Sequence, residues 1–214
     1  MTIKLDAVRV GRVAPLGPQG VPSGYIKQSS VDPVSVSMLG LMGDEQADLS
    51  VHGGPDKAVY GYAASHYALW RSEIPAHADL LVPGGMGENL TITGIDEADL
   101  RVGDVHRIGT VTMQVCQPRQ PCFKLAAYFN DPKMLRAFVR SSRSGWYYRV
   151  LEAGKLCAGD DVHLLDRPQA FSFARLVAIV NGATATPAEI ADLSRMPELA
   201  LSLREGFLGS DRYR

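Results

Sequence analysis

No hydrophobic run in this sequence approaches the roughly 20 residues that a membrane-spanning helix needs, and no run of lysine and arginine occurs. With 22 Lys and Arg against 23 Asp and Glu, the formal charge is -1. The missing cationic cluster argues against a nucleic-acid or anionic-membrane surface, since both are held by a concentrated positive field. Neither CxxC, HExxH nor a Cys/His quartet is present, and the five histidines are scattered, so no pattern for a structural zinc site exists. Three cysteines, Cys116, Cys122 and Cys157, cannot all pair within one chain, and a chain of this length folds without disulfides. They read as reduced thiols. A GxGxxG fingerprint and a βαβ rhythm are both missing, which sets aside a doubly wound α/β fold. The opening MTIKLDAVRVGRV lacks an apolar core and a small-residue cleavage site, so it is expected to be a first strand and not a signal peptide. A cytoplasmic protein is the expectation.

What is present is 46% hydrophobic residues in a chain of 214, enough for one large domain or a domain with an appendage. Up to about residue 165 short alternating stretches are broken by Gly and Asp. Thr110 to Cys116 sets Val111, Met113 and Val115 on one face, the period of a half-buried strand. The phrases LRVGDVHRI (100–108) and LCAGDDVHLL (156–165) each place a Gly-Asp turn before alternating residues, which predicts related corners of a closed or strongly bent sheet. The expected fold is mainly β with α additions, a β-barrel. Asp131-Pro132 predicts a helix start before Leu135, Phe138 and Val139, and Ser65 is a candidate cap for a turn carrying Tyr67 and Trp70.

After LLDRPQAF the strand pattern stops. Three helices are expected: Phe173 to Val180; Pro187 to about Arg195, opened by the capping box Thr186-Pro-Ala-Glu189; and Pro197 to about Gly206. The predicted division is therefore a barrel domain over 1–168 and a three-helix domain over 169–214. Narrow apolar stripes such as Leu176, Ile179 and Val180 require that these helices pack on the barrel or on a second subunit, which leaves a homodimer open. Deleting the segment is expected to cost stability or change the oligomer without abolishing ligand retention in the barrel.

The segment QPRQPCFKL (117–125) holds Cys122 after two prolines and between two cations. Arg119 and Lys124 are near enough to favour its thiolate, and Pro118 and Pro121 stiffen the loop; the plain alternative is a small buried hydrophobe. For Cys116 and Cys157 that alternative is preferred. Gly53 and Gly54 let backbone N–H groups approach a ligand, with His52 and Lys57 as donors suited to phosphate, although Gly-Gly-Pro-Asp is more often only a turn. Asn89 follows three glycines and either reads a heterocycle edge or stabilises a turn. Trp146 precedes Arg149 in SGWYYRV, where the arginine either clamps an anion beneath a stacked ring or the aromatics are core. Taken together, the clusters describe a pocket for a phosphorylated heterocycle that meets one poised thiol.

GDEQADLSVHGGPDKAVYGY, GGMGENLTITG, VGDVHRIG, QPRQPCFKL and GWYYRVLEAG occur in that order and cover nearly the whole chain. This series resembles the MOSC domain family, in its small bacterial YiiM-like branch. The resemblance implies a β-barrel related to the barrel domain of pyruvate kinase, a pterin-based molybdenum cofactor (molybdopterin with molybdenum), and Cys122 as the residue that contacts the metal. Arg119, Lys124, Lys57, His52 and Arg149 would then neutralise the cofactor phosphate, and the loops at 52–54 and 87–89 would line the pterin. Relatives are implicated in resistance to N-hydroxylated bases such as 6-hydroxylaminopurine, which implies a molybdenum-dependent oxidoreductase that reduces a small N-hydroxylated molecule. No flavin, haem or iron–sulfur motif is recognisable, so an external electron-transfer protein is expected as partner. The alternative is a non-catalytic carrier of the cofactor, or of persulfide sulfur on Cys122.

Overall fold

Short strands joined by glycine-containing turns build a sheet whose eight members run β13 (Val162–Asp166), β9 (Val105–Ile108), β10 (Val111–Pro118), β11 (Trp146–Glu152), β7 (Val59–Ala63), β8 (Leu90–Thr93), β1 (Lys4–Val10) and β4 (Gln28–Ser30). The computed structural model describes residues 2–49 and 52–209; Met1, Ser50 and Val51 of the glycine-containing segment, and residues 210–214 lie outside the described residues. Every ladder in the large sheet is antiparallel except β7 with β8, which are joined by a crossover carrying helix α1 (Ser65–Glu73). Two smaller sheets flank it: β12 (Gly154–Leu156) with β5 (Val34–Ser37) and β6 (Gly40–Leu41), and the hairpin of β2 (Ala14–Leu16) and β3 (Val21–Ser23).

The expected closed barrel is corrected by the ladder order, which begins at β13 and ends at β4 and does not return on itself. The sheet is open. Its curvature does bring the start of β1 beside the turn into β13, where Leu5 N donates to Asp160 O at 3.0 Å, Val162 N to Ile3 O at 3.0 Å and Gly159 N to Leu5 O at 2.7 Å. These bonds surround the isolated bridge Lys4–Asp161, and among the described residues β1 and β13 form no ladder. The chain turns at Gly159, whose φ is 96°, just before it reaches this contact.

Strand β10 also departs from expectation, since all eight of its residues are buried, not alternate ones. Its second face is covered by the C-terminal segment and by the turn at residues 55–57: Ala200 N donates to Cys116 O at 3.0 Å and Gln117 Nε2 to Asp56 O at 2.7 Å. Periodicity cannot reveal a cover supplied from elsewhere in the chain.

Beyond α1, two helices follow β10: α2 (Phe123–Phe129) and α3 (Lys133–Ser141). The expected start at Asp131-Pro132 is shifted by one residue: Pro132 stands at the N-cap of α3 without a side-chain bond, not at the first helical position, while Asp131 Oδ1 accepts from Lys133 N at 2.9 Å. Ser65 does not cap α1; it lies inside the helix, and Ala64 occupies the cap with no side-chain bond. The C-terminal segment forms α4 (Phe173–Val180), α5 (Pro187–Arg195), opened by the Thr186/Glu189 capping box, and α6 (Leu201–Gly209). The last starts later than Pro197, because residues 197–199 form a turn. Helix α4 buries Phe173, Leu176, Val177, Ile179 and Val180, each contributing about 1.5–3 kcal/mol. Residues on both sides of position 168 share one hydrophobic cluster, from Leu5 and Val115 through Trp146 to Leu199 and Phe207. A second, aromatic cluster includes Tyr25, Tyr60, Tyr62, Tyr67, Trp70, Phe129 and Phe138. Among the described residues no helix is long and apolar enough to cross a membrane.

Candidate functional site

Strand β10 runs out at Pro118, and four residues later Cys122 stands at the N-cap of α2 with extended backbone. The expected stiff loop is thus a short crossing from a buried strand to a helix. Cys122 faces a cleft whose space, solvent at its mouth included, is about 690 Å3. Burial raises the affinity of the thiol for its proton, but a hydrogen bond with His52, the charge of Arg119 and the Lys124 backbone N–H outweigh it and bring the pKa down to about 7. The other two thiols behave in the opposite way. Cys116 is fully buried, and burial, with Asp56 nearby, pushes its pKa up; the Cys157 thiol is likewise raised, by desolvation and by Asp160.

Of the residues singled out in the sequence, His52, Gly53, Lys57, Asn89, Arg119, Cys122 and Lys124 line this cleft. Gly53 takes φ 79° and Gly54 φ 83°, a conformation that side chains disfavour, so the chain can turn sharply into the 3-10 turn Pro55–Lys57. Gly54 sets that turn without lining the cleft. His52 keeps its Nδ1 buried with no hydrogen-bond partner among the described residues.

Arg119 is buried beneath the cleft and stacks with aromatic faces. Its Cζ lies 4.8 Å from the Tyr60 centroid, 5.4 Å from that of Tyr25 and 5.7 Å from that of Phe138, and its guanidinium donates to Met86 O. Among the described residues it forms no ion pair with a carboxylate. The aromatic faces stabilise the cation and leave its charge uncancelled.

Three predicted residues serve other ends. Trp146 is fully buried in the main core, with its ring centroid 6.2 Å from that of Tyr148, and so stacks on no ligand. Arg149 is taken up by Asp56, at 2.7 Å from its Nε and 2.6 Å from its Nη2. Asn89 reaches the cleft, but its amide is engaged: Oδ1 accepts from Tyr60 N at 3.1 Å, while Nδ2 donates to Arg9 O at 3.1 Å and Asp44 Oδ2 at 3.0 Å. These bonds hold the wall of the cleft.

The sequence reading missed Lys27 and Asp44. They form a buried ion pair on the cleft wall, and Asp44 also accepts from Gly11 N at 2.8 Å. Burial, partly offset by Asp44, lowers the pKa of Lys27. Asp44 lay within the quoted GDEQ, but Lys27 sits in SGYIKQ with no local signal. Tyr25, Tyr60 and Tyr147 also line the cleft, and the last two fall inside the family series.

A family model described as the MOSC domain matches residues 48–163. The chain belongs to the MOSC domain family. Among curated MOSC relatives, Protein YiiM of Escherichia coli is 39% identical over 150 residues, 70% of this chain and 67% of that protein. A protein named "Reductase" from Gibberella moniliformis is 42% identical over 164 residues, 75% of this chain but only 29% of the fungal protein's length. The crystal structure of YiiM from Geobacillus stearothermophilus superposes with a TM-score of 0.80 at 29% identity, covering 99% of this chain and all of that one. For the E. coli YiiM structure the TM-score is 0.77 at 28% identity, over 92% and 90% of the two chains. The chain therefore stands in the YiiM-like branch of the MOSC family.

Proposed function

We propose that the cleft binds the molybdenum cofactor through Cys122 and reduces small N-hydroxylated molecules. The observation that carries this reading is Cys122 itself: a soft donor with a pKa of about 7, facing a cleft above a buried, unneutralised cation. Among the described residues no three His, Cys, Asp or Glu side chains converge to hold a metal ion, so a metal here must bring its own ligands, as a dithiolene does. Uncancelled charge at Arg119, the open Nδ1 of His52, and Lys57 and Lys124 suit the phosphate of such a cofactor. The faces of Tyr25, Tyr60 and Tyr147 suit a flat heterocycle.

Cys122 would be the sulfur ligand, and the bound cofactor would supply a two-electron metal couple. The reaction is R–NHOH + 2 e⁻ + 2 H⁺ → R–NH2 + H2O, with electrons from an external electron-transfer protein. This chain's part is to hold the cofactor anion, to orient the substrate and to limit water in the cleft. The relative named as a reductase supports the reaction class, and the same cleft would equally suit a carrier that never turns over.

The test is to purify the protein from a host that makes the cofactor, to measure molybdenum and pterin per chain, and to follow 6-hydroxylaminopurine with reduced methyl viologen as donor. One of each per chain with turnover is expected. Cofactor without turnover would favour the carrier, and neither metal nor pterin would overturn the proposal.

A further inference from the structure

Asp56 has no part in the reading above, yet three stretches of chain meet on it. It lies in the turn Pro55–Lys57, between the cleft residues Gly53 and Lys57. Its Oδ1 accepts from Arg149 Nε at 2.7 Å, and its Oδ2 accepts the backbone N–H of Leu201, the first residue of α6, at 2.9 Å. Its carbonyl accepts from Gln117 Nε2 at 2.7 Å and from Cys116 Sγ at 3.1 Å, both on the strand that leads to Arg119 and Cys122. Two more bonds close the junction: Ala200 N to Cys116 O at 3.0 Å and Arg149 Nη1 to Pro197 O at 3.4 Å. Arg149 alone would neutralise the carboxylate. Its second oxygen instead takes an N–H that a helix start cannot satisfy internally, where a negative charge is also favoured.

We infer that Asp56 is a positioning residue through which the C-terminal segment fixes the turn at 53–57 and the end of β10, so that the tail completes the frame of the cleft. The expectation it stands against is that the barrel retains the ligand without the tail. The inference rests on the cleft being the site, but its test needs no cofactor.

Leu201→Pro removes the N–H that joins the start of α6 to Asp56. Proline is accepted at a first helical position, and the Ala200 carbonyl can still receive Leu203 N and Arg204 N. Glu189→Gln serves as the control, because it weakens the 2.7 Å pair with Arg175 inside the tail without touching Asp56. Hydrogen exchange is read on the purified full chain, together with the rate at which iodoacetamide alkylates Cys122 at neutral pH. In Leu201→Pro, peptides spanning 52–58 and 119–125 are expected to exchange at least about threefold faster, and alkylation to change about twofold or more. Glu189→Gln should move neither. Exchange changes confined to α6, or equal effects of both variants, would overturn the inference. If Leu201→Pro does not fold, Asp56→Asn, which sets an amide N–H2 against Arg149 or Leu201 N, is read the same way. Molybdenum and pterin content is measured separately, so a wild type that binds neither defeats the proposed function and leaves the exchange result to decide this one.

Discussion

The guanidinium of Arg119 lies over the ring of Tyr60, its Cζ 4.8 Å from the centroid, while its charge helps to hold the Cys122 thiol at a pKa of about 7. One buried cation thus links the aromatic floor of the cleft to the sulfur at its wall. Arg119→Met removes the charge and keeps much of the apolar stem. The Cys122 pKa should rise toward the ordinary thiol range of about 8.5, read as the pH midpoint of alkylation. A midpoint that stays near neutrality would assign the shift to His52 and the Lys124 backbone N–H.

Cys122→Ser replaces a soft, readily ionised ligand with a hydroxyl that stays protonated. Reduction of 6-hydroxylaminopurine should collapse, while urea midpoints shift by no more than about 1 kcal/mol equivalent. Cys157→Ser should retain activity per folded molecule. Cys116→Ser should do so too, with a modest loss of stability, since the hydroxyl can still donate to the Asp56 carbonyl that Cys116 Sγ meets at 3.1 Å. Wild-type turnover by Cys122→Ser with its cofactor loaded would show that the sulfur only packs.

His106 sets a pH dependence of stability that is separate from the site. Its Nδ1 lies 2.8 Å from Tyr148 Oη, and burial, partly offset by Asp104, lowers its pKa to about 4. The unfolded chain takes up this proton near pH 6.5 and the folded one only near 4. The stabilisation is therefore full above about 6.5 and is lost as pH falls toward 4, with a slope of at most about 1.4 kcal/mol per pH unit. Urea titrations across this window should lose that slope in His106→Gln.

Lys27→Met leaves the Asp44 carboxylate buried without its cation, although Gly11 N and Asn89 Nδ2 still donate to it. A loss of about 3 kcal/mol is expected in denaturant unfolding. Lys27→Met with Asp44→Asn should recover part of it, because the stranded charge is gone. Equal stability of the single and double variants would show that the stranded Asp44 charge carries no net cost.

By itself the sequence determined what local chemistry decides. The Thr186/Glu189 capping box, α4 and α5 to their end residues, and the placement of Cys122 beside cations all follow from contacts within a few positions. The ordered series of motifs likewise marked the family before any geometry was known. Tertiary structure decided the rest, because burial and charge compensation depend on residues far apart in the chain. Trp146 and Arg149 had the side chains of a ligand clamp, yet the core took one and Asp56 the other. Asn89 was spent on Tyr60, Arg9 and Asp44. Lys27 joined the cleft only because the sheet folds Asp44 against it, and β10 lost its solvent face to the turn at 55–57 and to a segment that follows it by some eighty residues. Whether the sheet closed was likewise decided by segments at opposite ends of the chain, since β1 and the turn into β13 meet through an isolated bridge and not a ladder.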